Sequence, residues 1–134
     1  LRRRPGAGVK RLHHVQLSCP EGGEEAARRF WVEGLGLAEV AKPSALAGRG
    51  GAWFRGEAVE VHVGVEEPFA PARRAHPALV LGDAEALRRA AGRLQELGFE
   101  VDWTERTTFP GHQRCHARDG HGNRVELLAP TTGP

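Results

Sequence analysis

The stretch Asp119-Gly-His-Gly-Asn-Arg-Val-Glu-Leu-Leu128 is a tight turn running into a strand that carries one carboxylate inward. Gly120 and Gly122 give the backbone its freedom, and Asp119 and Asn123 supply short polar side chains that close turns on themselves. From Arg124 onward the residues alternate, with Val125 and Leu127 on one face and Arg124, Glu126 and Leu128 on the other. A carboxylate between Val and Leu in mid-strand is costly to bury unless something positive binds it. Glu126 is therefore either a solvated residue of an edge strand or part of a site.

Upstream of this stretch one order of elements occurs twice. In the second half, residues 76–81 form a strand with His76, Ala78 and Val80 on one face. Asp83 is placed to cap an amphipathic helix over 84–97 that turns Leu87, Ala91 and Leu94 inward and stops at Gly98. Strands follow at 99–104, 112–118 and 123–129, with a loop at 107–111. The first half reads the same way. A strand at 12–18 has His14, Gln16 and Ser18 on one face, and a helix at 24–34 has Ala27, Phe30 and Trp31 at helical spacing. A short strand at 37–40, a loop at 43–51 and strands at 52–55 and 58–65 complete it, the last placing Glu60 and His62 opposite Val59, Val61 and Val63. A proline-bearing linker at 68–74 separates the halves.

The expectation is an α+β fold of two βαβββ modules, at 12–67 and 75–130, making one domain at 12–130 behind a flexible N-terminal tail at 1–11. The two halves also share residues. Gly34-Leu-Gly-Leu-Ala-Glu-Val40 echoes Glu96-Leu-Gly-Phe-Glu-Val101. Each half opens on an inward His and closes on a Glu preceded by Val, Glu60 in one and Glu126 in the other. Two copies mark a duplicated unit rather than a solenoid.

Composition removes several classes of function. With 134 residues, a net charge of +2 and basic residues spread along the chain, there is no case for nucleic-acid binding. No segment approaches membrane-spanning length. Cys19 and Cys115 are isolated and form no CxxC, which points to reduced core thiols and a cytoplasmic setting.

Two imidazoles and one or two carboxylates at matching places of a duplicated unit suit a divalent metal such as zinc, nickel, iron or manganese. His14, Glu60, His76 and Glu126 converge if the inner faces of the two halves meet. The plainer readings are a satisfied core histidine at His14, a strand start at His76, and a solvated Glu60, with His62 an equal candidate for the inward donor of that strand.

Leu12-His-His-Val-Gln-Leu17, His76-Pro-Ala-Leu-Val-Leu81 and Asp119-Gly-His-Gly-Asn-Arg-Val-Glu-Leu127 together resemble the vicinal oxygen chelate superfamily. That superfamily includes glyoxalase I, bleomycin- and fosfomycin-resistance proteins, methylmalonyl-CoA epimerase and extradiol dioxygenases. The resemblance implies a glyoxalase-like fold with a curved mixed sheet and one helix per module, often completed by exchange between two subunits. It implies His14, His76 and Glu126 as metal ligands, with Glu60 as the fourth. Tyrosine, used by the dioxygenases and fosfomycin-resistance enzymes of that group, is absent here, and His116 stands at the corresponding place.

The function expected is that of a metal-dependent lyase or isomerase acting on a small molecule with vicinal oxygens. Glu60 and Glu126 would move protons, and Gln16, His62, Arg114 and His116 would line the pocket. The alternatives are a metal-free small-molecule (antibiotic) binding protein that stacks its ligand on Trp53 and Trp103, a dioxygenase, or a metal-stabilised structural dimer. A homodimer is expected, motivated also by the apolar run Gly51-Ala-Trp-Phe54.

Overall fold

The computed structural model describes residues 8–132; residues 1–7, most of the expected tail, lie outside them. Strand β1 (Val15–Cys19) leads into helix α1 (Glu24–Arg28), which continues as a π-helical turn (Arg29–Gly34). Strand β2 (Ala38–Val40), a 3-10 turn (Ser44–Arg49), β3 (Ala52–Arg55) and β4 (Glu60–Val65) complete the first half. The second half repeats the order with β5 (Ala78–Val80), α2 (Ala84–Glu96), β6 (Val101–Asp102), β7 (His112–Arg118) and β8 (Arg124–Pro130). Each half is a four-stranded mixed sheet, ordered β1-β4-β3-β2 and β5-β8-β7-β6. The pairs β1–β4 and β5–β8 are parallel and the rest antiparallel. This is the α+β arrangement of two βαβββ units that the residue pattern implies.

The elements depart from the sequence pattern where local chemistry intervenes. The strand expected from His76 begins at Ala78, because Pro77 has no N–H for the ladder; its carbonyl instead accepts from the Glu126 N–H at 2.9 Å. The strand expected over 99–104 shrinks to two residues. Asp102 Oδ1 accepts from both the N–H and the Oγ1 of Thr104, at 2.9 and 2.5 Å, and that turn takes the chain out of the sheet. Beyond Arg28 the first helix widens, with the Leu35 N–H reaching the Phe30 carbonyl at 3.0 Å, yet Phe30 and Trp31 stay buried. The loop at 43–51 contains a 3-10 turn.

The alternation does what it predicts in the core. Val61 and Val63 of β4, and Val125 and Leu127 of β8, turn toward the helices with Leu87, Ala91 and Leu94 of α2. Asp83 caps α2 by accepting from the Ala86 N–H at 2.8 Å. The halves meet at their helices. Phe30 packs edge-on to Phe99 with ring centroids 5.1 Å apart, and Gly34 leaves room for Leu94, whose Cδ2 would stand 2.5 Å from a Cβ at that position. Cys19 and Cys115 are free and fully buried; burial raises both thiols, Cys115 to about 12.

The β7–β8 turn ties the halves together a second time. Asp119 Oδ1 accepts from the N–H groups of His121 and Asn123, each at 2.9 Å. Asn123, 1% exposed, donates to Asp119 Oδ2 at 2.9 Å and to the Ser18 carbonyl at the end of β1 at 2.8 Å. Its Oδ1 accepts from the Ala72 N–H of the linker at 2.8 Å. The glycines fit this turn for steric reasons. Gly122 sits at φ +89, and a Cβ on Gly120 would stand 2.9 Å from the Ala26 Cβ on α1.

Asn123→Ala removes three hydrogen bonds from a buried position and strands their partners. We expect it to lose about 3 kcal/mol of unfolding free energy in urea, against about 1 kcal/mol for removing the exposed cap in Asp83→Ala. Equal losses would show that the turn does not hold the halves together.

Candidate metal centre

Three donors converge at the middle of the second sheet. Strand β8 presents Glu126, β7 sets His116 directly opposite it, and the segment before β5 brings in His76. Their ligand atoms all lie within 4.8 Å of one another, and among the described residues theirs is the one group of three such donors. Glu126 Oε1 is the focus: His76 Nε2 lies 3.0 Å away, Arg114 Nη1 3.3 Å and His116 Nε2 3.4 Å. The Glu126 carboxylate is buried, whereas the side chain of His76 is 23% exposed.

The hydrogen bonds define which lone pairs are free. His76 Nδ1 is 2.7 Å from the Arg74 carbonyl, which only accepts, so Nδ1 carries the proton. In the neutral ring Nε2 then turns a lone pair toward a carboxylate, an arrangement that needs a cation between them or on the ring. Histidine ligands of metals show this pattern, the outer nitrogen donating to a carbonyl while the inner one coordinates. His116 Nε2 is buried and has no hydrogen-bond partner. Burial, with Arg124 and Arg114 nearby, holds His116 below the usual imidazole range and so keeps it neutral. For Glu126, burial pushes the carboxyl up, but the His76 hydrogen bond and Arg114 outweigh it and the group ends lower than usual. Two imidazole nitrogens and an ionised carboxylate oxygen fit a divalent ion.

The first sheet carries a separate polar cluster. The rings of Trp53 on β3, His62 on β4 and His14 just before β1 stack in a column, with centroids 3.8 and 4.1 Å apart. Glu60 holds His62 Nε2 at 2.8 Å and Arg55 Nε at 2.8 Å. Those two hydrogen bonds, His62 first, pull the Glu60 carboxyl down to about 2. Gln16 is exposed on the same face of β1, and Trp103 lies under the Arg106 guanidinium, 4.8 Å from its ring centre.

Thus the structure unites His76 and Glu126 and keeps His14 and Glu60 with His62 on the other sheet. A narrow groove of about 180 Å³ brings His14 and Glu60 to the flank of β5, but their donor atoms do not join the three. Arg114 and His116 line the cluster, and His116 Nε2 is the third ligand-type atom of the group. Its signal was in the sequence, since residues equally spaced about the β7–β8 turn face each other.

Strand register also revises the internal match of Glu60 with Glu126. Gln16, two residues after His14, pairs with His62; Ala78, two residues after His76, pairs with Glu126. His62 therefore occupies the place of Glu126, and Trp53, its neighbour on β3, occupies that of His116. The run at 51–54 is likewise no free apolar face, because Ala52 and Phe54 are core residues.

Residues 11–127 match the family model described as Glyoxalase/Bleomycin resistance protein/Dioxygenase superfamily. A crystal structure from Bacillus anthracis, described as a glyoxalase family protein, is 35% identical with a TM-score of 0.83, covering 98% of this chain and 100% of its own. The fosfomycin resistance protein FosX from Listeria monocytogenes shares the fold at 15% identity and a TM-score of 0.70, covering 95% and 96%. An antibiotic binding protein from a Streptomyces species is 25% identical with a TM-score of 0.63, covering 92% and 100%. No curated protein matches the sequence.

The Glu60 cluster is directly measurable. Its carboxyl should titrate near about 2 in carbon-detected NMR, and Arg55→Ala should move that midpoint upward. Because the folded value is depressed below 4.5, Glu60 stabilises the fold above that pH and loses its contribution as pH falls toward about 2. A wild-type midpoint above 4 would show that neither partner holds it.

Proposed function

Since the chain belongs to the glyoxalase/bleomycin resistance protein/dioxygenase superfamily, we propose that it is a metal-dependent enzyme acting on a small molecule with two adjacent oxygens. The observation that carries this reading is the convergence of His76 Nε2, the unpaired His116 Nε2 and Glu126 Oε1 within 4.8 Å of one another. His76, His116 and Glu126 would hold a divalent ion of the zinc, nickel, iron or manganese kind. When bound, it supplies Lewis acidity to both oxygens of the substrate. Arg114, beside Glu126 Oε1, keeps that carboxylate ionised and offers positive charge to an oxyanion. Glu60, held ionised by His62 and Arg55, fixes the orientation of the His62 ring.

The first sheet's donors reach the centre through a second copy of the chain. Strands β1 and β5 are each an edge strand of their sheet, as β2 and β6 are at the other side, and Leu12 and Val80 beside or on them are 77% and 67% exposed. Pairing about a twofold axis covers both edges and brings His14 and His62 of one chain to His76, His116 and Glu126 of the other. By the register, His62 rather than Glu60 is the donor from β4, and Glu60 orients it.

A second reading has its own support. Arg114 already gives Glu126 a positive partner, and a relative carries the description of an antibiotic binding protein. On that reading the chain holds a ligand without metal, with Trp53 as a stacking surface.

Metal analysis of protein purified without chelator or histidine tag separates the two. We expect about one divalent ion per chain, lost in His76→Ala and kept in His13→Ala. Glu126→Gln should weaken metal affinity at least about 100-fold, while Glu60→Gln keeps the metal and loses turnover. Metal at wild-type level in His76→Ala rejects the assignment. Sedimentation at micromolar concentration should give a dimer; a monomer there rejects the shared site.

A further inference from the structure

A small hollow of about 270 Å³ opens on the same face of the first sheet, next to the Trp53–His62–His14 column. Gln16 and Trp53, the two strand neighbours of His62, both line it. Its outer wall is the segment after β2, which contributes Lys42 and Arg49. These two cations are the charged side chains of the lining. Lys42 Nζ donates to the Gly50 carbonyl, and Arg49, exposed at the end of the 3-10 turn, has no carboxylate within ion-pair distance among the described residues. The nearby acid, Glu24, accepts the Gly51 N–H at 2.8 Å and lies within electrostatic reach of Lys42.

The floor is shaped for a polar headgroup. Gly64 follows His62 on that face of β4, and a Cβ there would stand 2.7 Å from Gln16 Nε2. The missing side chain lets the Gln16 amide lie across the strand. With an indole face beside it, the hollow offers an amide donor, an ammonium and a guanidinium around one small volume. At that size it takes part of a ligand rather than a whole one.

We propose that this hollow is an oxyanion subsite, so that the substrate is a small acid, with a carboxylate or phosphonate held by Lys42, Arg49 and Gln16. This rests on the proposed function only for the other end of the molecule, the adjacent oxygens. The charge-assisted contacts select an anion, and Arg49 gives it a two-pronged grip. Trp53 bounds both the hollow and the histidine column, so the anionic group and the reacting end are held beside one indole.

The test uses phenylphosphonate and benzoate as probes on the full chain, as purified and again after dialysis against EDTA. Calorimetry at low ionic strength should show saturable binding of at least one probe in both samples. In the dialysed protein the Trp53 indole N–H should shift in NMR while those of Trp31 and Trp103 stay in place. Lys42→Gln with Arg49→Gln should weaken binding at least about tenfold, and Gly64→Ala, which displaces Gln16, should also weaken it; metal content should be unchanged in the double variant. The stronger probe identifies the headgroup as dianion or monoanion. No saturable binding, a shift away from Trp53, or unchanged affinity in the double variant overturns the subsite. Metal binding without anion binding rejects the subsite alone, whereas anion binding in a chain that takes up no metal rejects only the metal reading.

Discussion

Asn123 is the residue on which the arrangement of the two halves depends. Its amide is satisfied by two distant parts of the chain, the Ser18 carbonyl at the end of β1 and the Ala72 N–H in the linker, and by the Asp119 carboxylate of its own turn. In a buried position each of those groups would otherwise lack a partner. The turn is thereby fixed against the first sheet, and β8, which starts at the next residue, is fixed with it. Because Glu126 follows three residues on, the placement of the central carboxylate is inherited from a hydrogen-bonded turn rather than from a flexible loop.

A common backbone carries unlike chemistry in its two halves. At equivalent places of the register the first sheet has His62 and Trp53 and the second has Glu126 and His116. The first set stacks, aromatic on aromatic, and its carboxylate stands to one side. The second set gathers around one carboxylate oxygen. Duplication accounts for the frame, and the side chains then diverged within it.

Much of this was legible in the residues, and the failures have physical causes. Turn chemistry and strand alternation are local, so the stretch from Asp119 to Leu128 and the inward His76 could be read directly. Alternation has a period of two and cannot choose between Glu60 and His62; only pairing with β1 separates them. The role of His116 depended on the exact length of the β7–β8 turn. The widening of the first helix and the Asx turn at Asp102 arise from tertiary packing and a side-chain oxygen, neither of which leaves a periodic trace. The apolar run at 51–54 misled because a core strand and an exposed interface strand have the same composition.

The separation of the two polar clusters bears on descent. Glu60 finds its partners in Arg55 and His62 on its own sheet, and Glu126 finds His76 and Arg114 on the other. Within one chain, a change in one cluster therefore leaves no stranded charge in its counterpart. A lineage built on such a frame can shed or acquire chemistry one sheet at a time, each intermediate remaining a folded protein on which selection can act.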